Sequence, residues 1–193
     1  MADESLVLVD VDDRSVARVT LNRPDARNAM SNELMSQLKD AVERLGSDDS
    51  IRAVVLSGTG KLCCAGGDLK GMQRQATNTR EGRSGDARDV ASTLQLIDQM
   101  PTLLIGRING PAFGGGLGLM SLCDITIGLS GASYRLTEVT LGLIAATISP
   151  YVVAKIGVPN ARRMMLNALP LDGAMAKELG LLDVVVDSEA DLD

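Results

Sequence analysis

The stretch PAFGGGLGLMSLCDITIGL, residues 111–129, constrains the fold more than any other part of the chain. Gly114, Gly115 and Gly116 stand in a row and Gly118 follows after one leucine. The run then passes without a break into text that reads as a buried helix and a buried strand. A glycine inside a regular element costs about 0.5–1 kcal/mol relative to alanine, so the backbone here must do something a side chain would prevent. Two glycine devices do not fit. A dinucleotide fingerprint started at Gly114 or Gly116 would need glycine at Leu119 or Ser121. A phosphate loop fails at Gly60-Lys61, which has Val55 five residues earlier and Leu62 immediately after. Two readings remain: small residues that let a helix pack close to its sheet, or helix-start amides that donate to an anionic or developing-anionic oxygen.

The rest of the chain supplies the frame. SLVLVDVDD and SVARVTL alternate apolar and polar residues around an Asp-Asp-Arg turn, the pattern of a β-hairpin with one buried face. Pro24 breaks the pattern, and a helix is predicted from Ser31 as N-cap, with Leu34, Leu38, Ala41, Val42 and Leu45 on one face and Gly46 at its end. IRAVVLSG, TLLIGRING and DITIGL read as buried strands, and LLDVVV as another. DVASTLQLIDQM, stopped by Pro101, and NARRMMLNA through DGAMAKELG carry helical spacing. Residues 71–88 are polar and poorly periodic, so a mobile surface loop is predicted there. Strands alternating with helices specify an α/β fold with a parallel sheet covered by helices, in one domain over residues 1–193. A second glycine turn, Ala65-Gly66-Gly67 in KLCCAGGDLKGM, follows one predicted strand as the first run follows another. Both turns fall at strand carboxyl ends, where open parallel sheets bind ligands, and two amides converging from two loops would form an oxyanion hole.

Composition narrows the chemistry. With 45% hydrophobic and 23% charged residues the chain is an ordinary globular one. The balance of 19 basic against 25 acidic residues lacks the footprint of a nucleic-acid binder. No apolar run reaches the roughly 20 residues of a membrane helix, and MADESLVLVD is acidic where a signal peptide would be basic, so a cytoplasmic location is expected. There is no histidine, and Cys63, Cys64 and Cys123 make an odd count without CxxC spacing. A zinc site therefore lacks its usual ligands, and histidine-activated serine or cysteine chemistry is excluded. Proton transfer falls to carboxylates, lysines or tyrosines. The two adjacent cysteines read as buried small hydrophobes, Tyr134 as packing and Asp124 as structural.

NRPDARNAM, VVLSGTGKLCCAGGDLK, INGPAFGGGLGLMSLCDITI and YRLTEVTLGLI occur in the order and spacing of the crotonase superfamily, the enoyl-CoA hydratase/isomerase proteins, which this chain resembles over residues 20–150. LGLIAATISPYVVAKIG looks closest to the branch that includes methylglutaconyl-CoA and carboxygeranoyl-CoA hydratases. The resemblance implies a spiral of ββα units, a trimer or dimer of trimers, and C-terminal helices beyond this point that close the acyl pocket, so the domain is expected to be truncated there with its helical region short or missing. It implies an acyl-CoA substrate and no separate cofactor or metal, coenzyme A entering as part of the substrate.

The resemblance assigns the two enolate-stabilising amides to Gly67 and Gly115, where a Cβ at 115 should do more harm than one at 67. It implies that Asp25, Ala26, Arg27, Ala65, Gly67, Leu69, Lys70, Gly115 and Gly118 lie along the bound CoA thioester. Hydratases of the family generally carry two glutamates. The second matches Glu138, and the first falls on Gly118, with no nearby carboxylate to replace it. Three activities stay open: hydration of a 2-enoyl-CoA with Glu138 both activating water and returning its proton, Δ3,Δ2-enoyl-CoA isomerisation through Glu138 alone, or thioester binding with little turnover. Without the resemblance, Glu138 also reads as a helix-start glutamate favourable to the dipole.

Overall fold

The computed structural model describes residues 5–193 apart from Asn78. The expectations drawn from the first four residues and from Asn78 lie outside the described residues.

The hairpin forms as the alternation requires. β1 (Val7–Val11) and β2 (Val16–Leu21) pair antiparallel with Val9 opposite Val19, turning at Asp12, whose carboxylate accepts from the Arg14 and Val16 amides. Every further pairing in the main sheet is parallel. β3 (Ala53–Gly58) runs beside β2, β4 (Leu103–Ile108) beside β3, β6 (Ile125–Leu129) beside β4, and β8 (Val184–Val186) beside β6. The order β1-β2-β3-β4-β6-β8 follows the chain, with each crossover returning the strand on the same side of its predecessor. A second, smaller layer is built from two-residue strands, β5 (Ala112–Phe113) and β7 (Tyr134–Arg135), and from isolated bridges at Met30–Gly67, Cys64–Ala112 and Tyr134–Leu171. Each turn of the chain thus lays one strand in the main sheet and a short one in the second layer. This is the predicted ββα spiral.

Helix α1 (Asn32–Gly46) starts where expected: the Ser31 hydroxyl accepts from the Leu34 amide at 3.2 Å, and Leu34, Leu38, Ala41, Val42 and Leu45 are all buried. Each such side chain removed from water contributes about 1.5–3 kcal/mol, so this face alone fixes α1 on the sheet. The loop expected over 71–88 is not one. α2 (Leu69–Ala76) and α3 (Arg80–Asp98) run through it, capped by Asp68 and by Thr79, whose hydroxyl accepts from the Gly82 amide. Both caps are visible in the text, but no apolar side chain described between residues 71 and 88 is buried, and α3 reaches the core only beyond there at Leu94 and Ile97, so the periodic signal is weak where the capping signal is strong.

α4 (Gly115–Ser121) is the buried helix predicted at the glycine run. α5 (Ser149–Asn167) begins earlier than NARRMMLNA and contains a break at Gly157, φ 74°, two residues before Pro159, so two helical pieces meet end to end. α6 (Gly173–Glu178) precedes β8. Tyr134 is fully buried and donates to the Leu129 carbonyl, and the Asp124 carboxylate accepts from the Leu104 amide, the structural roles expected of both. All three cysteines are buried, and burial pushes the Cys64 thiol up to about 11 and that of Cys123 to about 12. Among the described residues no helix is long and apolar enough to cross a membrane.

Candidate active site

Because β3 and β4 are parallel neighbours, with Ala53 opposite Leu103, their chains leave the sheet on the same edge and their following loops meet there. The second layer holds them together. Phe113 N–H donates to the Cys64 carbonyl at 3.0 Å, Cys63 N–H donates to the Pro111 carbonyl, and Gly114 N–H donates to the Arg135 carbonyl at 2.9 Å. The loops touch at two glycines. A Cβ on Gly66, whose φ is +89°, would lie 2.6 Å from the Phe113 carbonyl oxygen and 3.2 Å from the Gly115 nitrogen.

This contact places two amides side by side, and each is aimed by its own peptide plane. The Gly66 carbonyl accepts from Met30 N–H at 2.7 Å, so the Gly67 N–H on the opposite side of that trans peptide points away from Met30. The Gly114 carbonyl accepts from the Leu117 and Gly118 amides as the first turn of α4, so the Gly115 N–H points out of the helix start. Gly114 makes this possible at φ 49°, ψ −119°, a conformation that side chains oppose. Of the glycine-loop residues that line the adjoining cleft, Ala65 and Gly114 spend their amides on the carbonyls of Arg27 and Arg135. The Gly67 and Gly115 amides donate to no group among the described residues. Both residues line the same cleft with their amides unspent, and two donors that meet at one point are what a developing oxyanion requires.

Glu138 opens the 3-10 turn Glu138–Leu141 directly across from them. Its Oε1 lies 3.1 Å from where a Cβ of Gly114 would stand, and its Oε2 is buried without a hydrogen-bond partner. Burial raises the carboxyl above the usual glutamate range, opposed by the Glu138 and Thr137 amides. A desolvated carboxylate with a bare oxygen is a stronger base than one in water. The cleft of about 820 Å³ that joins these groups is lined by Ala65, Leu69, Met72 and Val90 on one flank and by Leu141, Leu143, Ile144 and Ile148 on the other.

Of the residues predicted to follow the substrate, Ala65, Gly67, Leu69 and Gly115 line this cleft with Glu138. Asp25, Ala26, Arg27, Lys70 and Gly118 are not among its lining residues. Asp25 and Arg27 are exposed at and beside the 3-10 turn Pro24–Ala26, and Lys70 is exposed on α2. A Cβ at Gly115 would stand 2.9 Å from Met30 Sδ and one at Gly67 3.1 Å from Met72 Sδ, which agrees in order with the greater harm predicted at 115. Sequence reasoning placed Gly66 and Gly114 in the two glycine turns without a separate role and did not single out Met30, the three residues that aim these amides. Gly66 and Gly114 are signalled in the text by their adjacency to the predicted pair, and Met30 by its place at the end of NRPDARNAM.

Gly118 has a packing role. It is buried in α4, and a Cβ there would overlap Ile148 Cγ2 and lie 2.7 Å from Ile148 Cβ. Ile148 therefore fills the space that a side chain at position 118 would enter, and it presents an aliphatic wall to the cleft where a second carboxylate would otherwise come in. Gly118→Ala is expected to destabilise the fold by about 1–3 kcal/mol through overpacking, read by chemical denaturation. An unchanged midpoint would show that Ile148 yields freely.

Residues 12–193 match the enoyl-CoA hydratase/isomerase family. Enoyl-CoA hydratase AKT6-1 of Alternaria alternata is 37% identical over 178 residues, covering 90% of this chain and 56% of that protein. The chain thus spans little more than half the length of that curated relative. A putative enoyl-CoA hydratase of Thermus thermophilus is 35% identical, covering 91% of this chain and 70% of that protein. Among solved structures, an enoyl-CoA hydratase of Mycobacterium smegmatis superposes with a TM-score of 0.92 at 33% identity, covering 98% of this chain and 73% of that one. Pseudomonas aeruginosa AtuE gives 0.93 at 36%, covering 97% and 72%. A match running nearly the whole chain, on a spiral that brings two glycine amides to one cleft, makes this protein a member of the enoyl-CoA hydratase/isomerase family, the crotonase superfamily.

Proposed function

We propose that the protein hydrates a 2-enoyl-CoA thioester. The observation that carries this reading is the pair of unspent amides at Gly67 and Gly115 beside the buried, unpartnered Oε2 of Glu138. The thioester carbonyl oxygen accepts from both amides, which draws electron density from C3 and stabilises the enolate that forms on attack. Glu138 takes a proton from water as the water oxygen bonds to C3. The enolate then collapses, and the same carboxyl returns that proton to C2, leaving Glu138 ionised as it began. Coenzyme A enters as part of the substrate, and no separate cofactor is needed. The flanking Leu69, Met72, Leu143 and Ile144 suit an apolar acyl chain, and a 3-methyl-branched one is included in the proposal on the sequence resemblance alone.

Isomerisation of a 3-enoyl-CoA is the second reading, favoured by one observation: the side of α4 where a second carboxylate would enter is closed by Ile148. A single base that moves a proton from C2 to C4 needs no partner. A panel of acyl-CoA thioesters followed by ultraviolet absorbance separates the two, because hydration destroys the conjugated enoyl thioester and isomerisation creates it. Binding without either change would leave a thioester-binding protein with little turnover. Self-assembly into trimers or hexamers in the cytoplasm is proposed on the resemblance. Leu166, exposed at 71% of its full surface and outside the cleft, is one apolar side chain such contacts would cover.

The pH dependence follows from Glu138. Burial disfavours its charged form, so its pKa lies above the ordinary glutamate value, and the base is lost as pH falls through that raised value. kcat/KM should therefore rise by about tenfold per pH unit on the acid side and level off at a midpoint above that of a free glutamate. A profile that is flat down to the range of a solvent-exposed glutamate would contradict the assignment.

A further inference from the structure

Asp68 directly follows the Gly67 donor. Its side chain is nearly inaccessible, at 8% of its full surface, although it carries a charge. Every oxygen is engaged. Oδ1 accepts from the Lys70 and Gly71 amides at 3.0 and 3.2 Å, capping α2, and Oδ2 accepts from Arg23 Nη1 at 2.7 Å. The Arg23 contact and the two amides hold the carboxyl below the usual aspartate range against the opposing cost of its burial. Arg23 belongs to the loop between β2 and α1 that also carries Met30, and the same Nη1 donates to the Ala29 carbonyl at 3.1 Å. Met30 grips the glycine turn from both sides: its N–H donates to the Gly66 carbonyl at 2.7 Å, and its carbonyl accepts from Asp68 N–H at 3.2 Å. The Gly67 residue, and with it the direction of its N–H, is thus clamped between two segments that the Asp68–Arg23 ion pair ties together.

We infer that Asp68 and Arg23 are positioning residues for thioester activation, holding the Gly67 amide in line through Met30 without donating to the substrate oxygen themselves. This rests on the oxyanion reading proposed above. A half-buried pair whose only task was stability would be replaceable once the fold was held by other means. A pair that aims a donor would instead affect the charge drawn onto the carbonyl, because an amide turned away from the oxygen loses most of its effect on the transition state.

The test uses butyryl-CoA labelled with carbon-13 at the thioester carbonyl, whose infrared band moves to lower frequency when the oxygen accepts hydrogen bonds. In the wild type the band should move on binding. In Asp68→Ala it should move less, and kcat on whichever enoyl-CoA the wild type turns over should fall by about tenfold or more, while butyryl-CoA affinity changes by less than about threefold. Asp68→Asn keeps an acceptor for the α2 amides and should fall between the two, giving a readable variant if Asp68→Ala folds poorly. Arg23→Ala combined with Asp68→Ala should lose no more than the worse single variant, since both act through one latch. A folded variant with the full band shift and wild-type kcat overturns the inference. So does a loss of kcat matched by lost affinity with the band unchanged, which would make these residues part of binding. A wild-type protein that binds butyryl-CoA with no band shift overturns the oxyanion reading itself.

Discussion

Replacing Glu138 with glutamine is expected to lower turnover by about 10²–10⁴-fold while acyl-CoA affinity stays within about threefold of the wild type. The exchange keeps the shape that packs against Gly114 and removes only the proton acceptor. It should also stabilise the protein at neutral pH. A carboxyl whose folded pKa is raised gives its full stability below the unfolded value and loses it as pH rises through the folded one. Wild type and variant should therefore melt alike near about pH 4, and the variant should melt higher near about pH 8. Thermal melts at both values, with turnover and binding assays at neutral pH, check this. Wild-type turnover in the variant would remove Glu138 from the chemistry. A melting difference that is the same at both values would show that its carboxylate is not desolvated.

Gly66→Ala is expected to be as damaging for a different reason. Gly66 is buried and gives its amide to Cys64 Sγ at 3.5 Å, yet both glycine loops close on it. Its φ of +89° is strained for alanine by about 1–3 kcal/mol, and the new methyl would stand 2.6 Å from the Phe113 carbonyl oxygen, a backbone atom that cannot rotate away. Relief requires the loop carrying Gly67 to separate from the one carrying Gly115, so the two amides no longer converge. Turnover should drop by about two orders of magnitude or more if one donor is lost, together with a lowered melting temperature. Gly131→Ala, where an added Cβ meets nothing within 4 Å and which lies outside the cleft, serves as the control that should retain wild-type activity. Equal activity in Gly66→Ala and wild type would mean that the loops need not touch for the site to work.

The frame of the fold was legible because it is written in local patterns. Alternation gave β1 and β2, the 34-38-41-42-45 face gave α1, and short β-branched runs gave the parallel strands. Gly67 and Gly115 were legible as motif positions, but their meeting at one cleft follows from the pairing of β3 with β4 and from the bridges of the second layer. No single stretch of text contains either. One reading failed where its determinant was weakly written, and one contact lay out of reach because it is tertiary. Residues 71–76 and 80–88 are helical, with Asp68 and Thr79 capping the two helices, although the apolar face there is thin. Gly118 was read by what it lacks as a catalytic position, and its partner Ile148 could not be seen from position 118, because the contact joins α4 to the approach of a later helix.

The orientation of the Gly67 and Gly115 amides is stored in dihedral angles and in the carbonyls that brace them, so it carries almost no signature in side chains. Drift in sequence can rewrite the walls of the cleft while the electrophilic half of the chemistry persists. In the proposed reaction the fate of the enolate hangs on Glu138 and on whatever stands opposite it. A protein built this way divides labour between an inherited backbone that makes the reactive species and a few replaceable side chains that choose its product, and a change of reaction then needs fewer substitutions than a change of substrate activation.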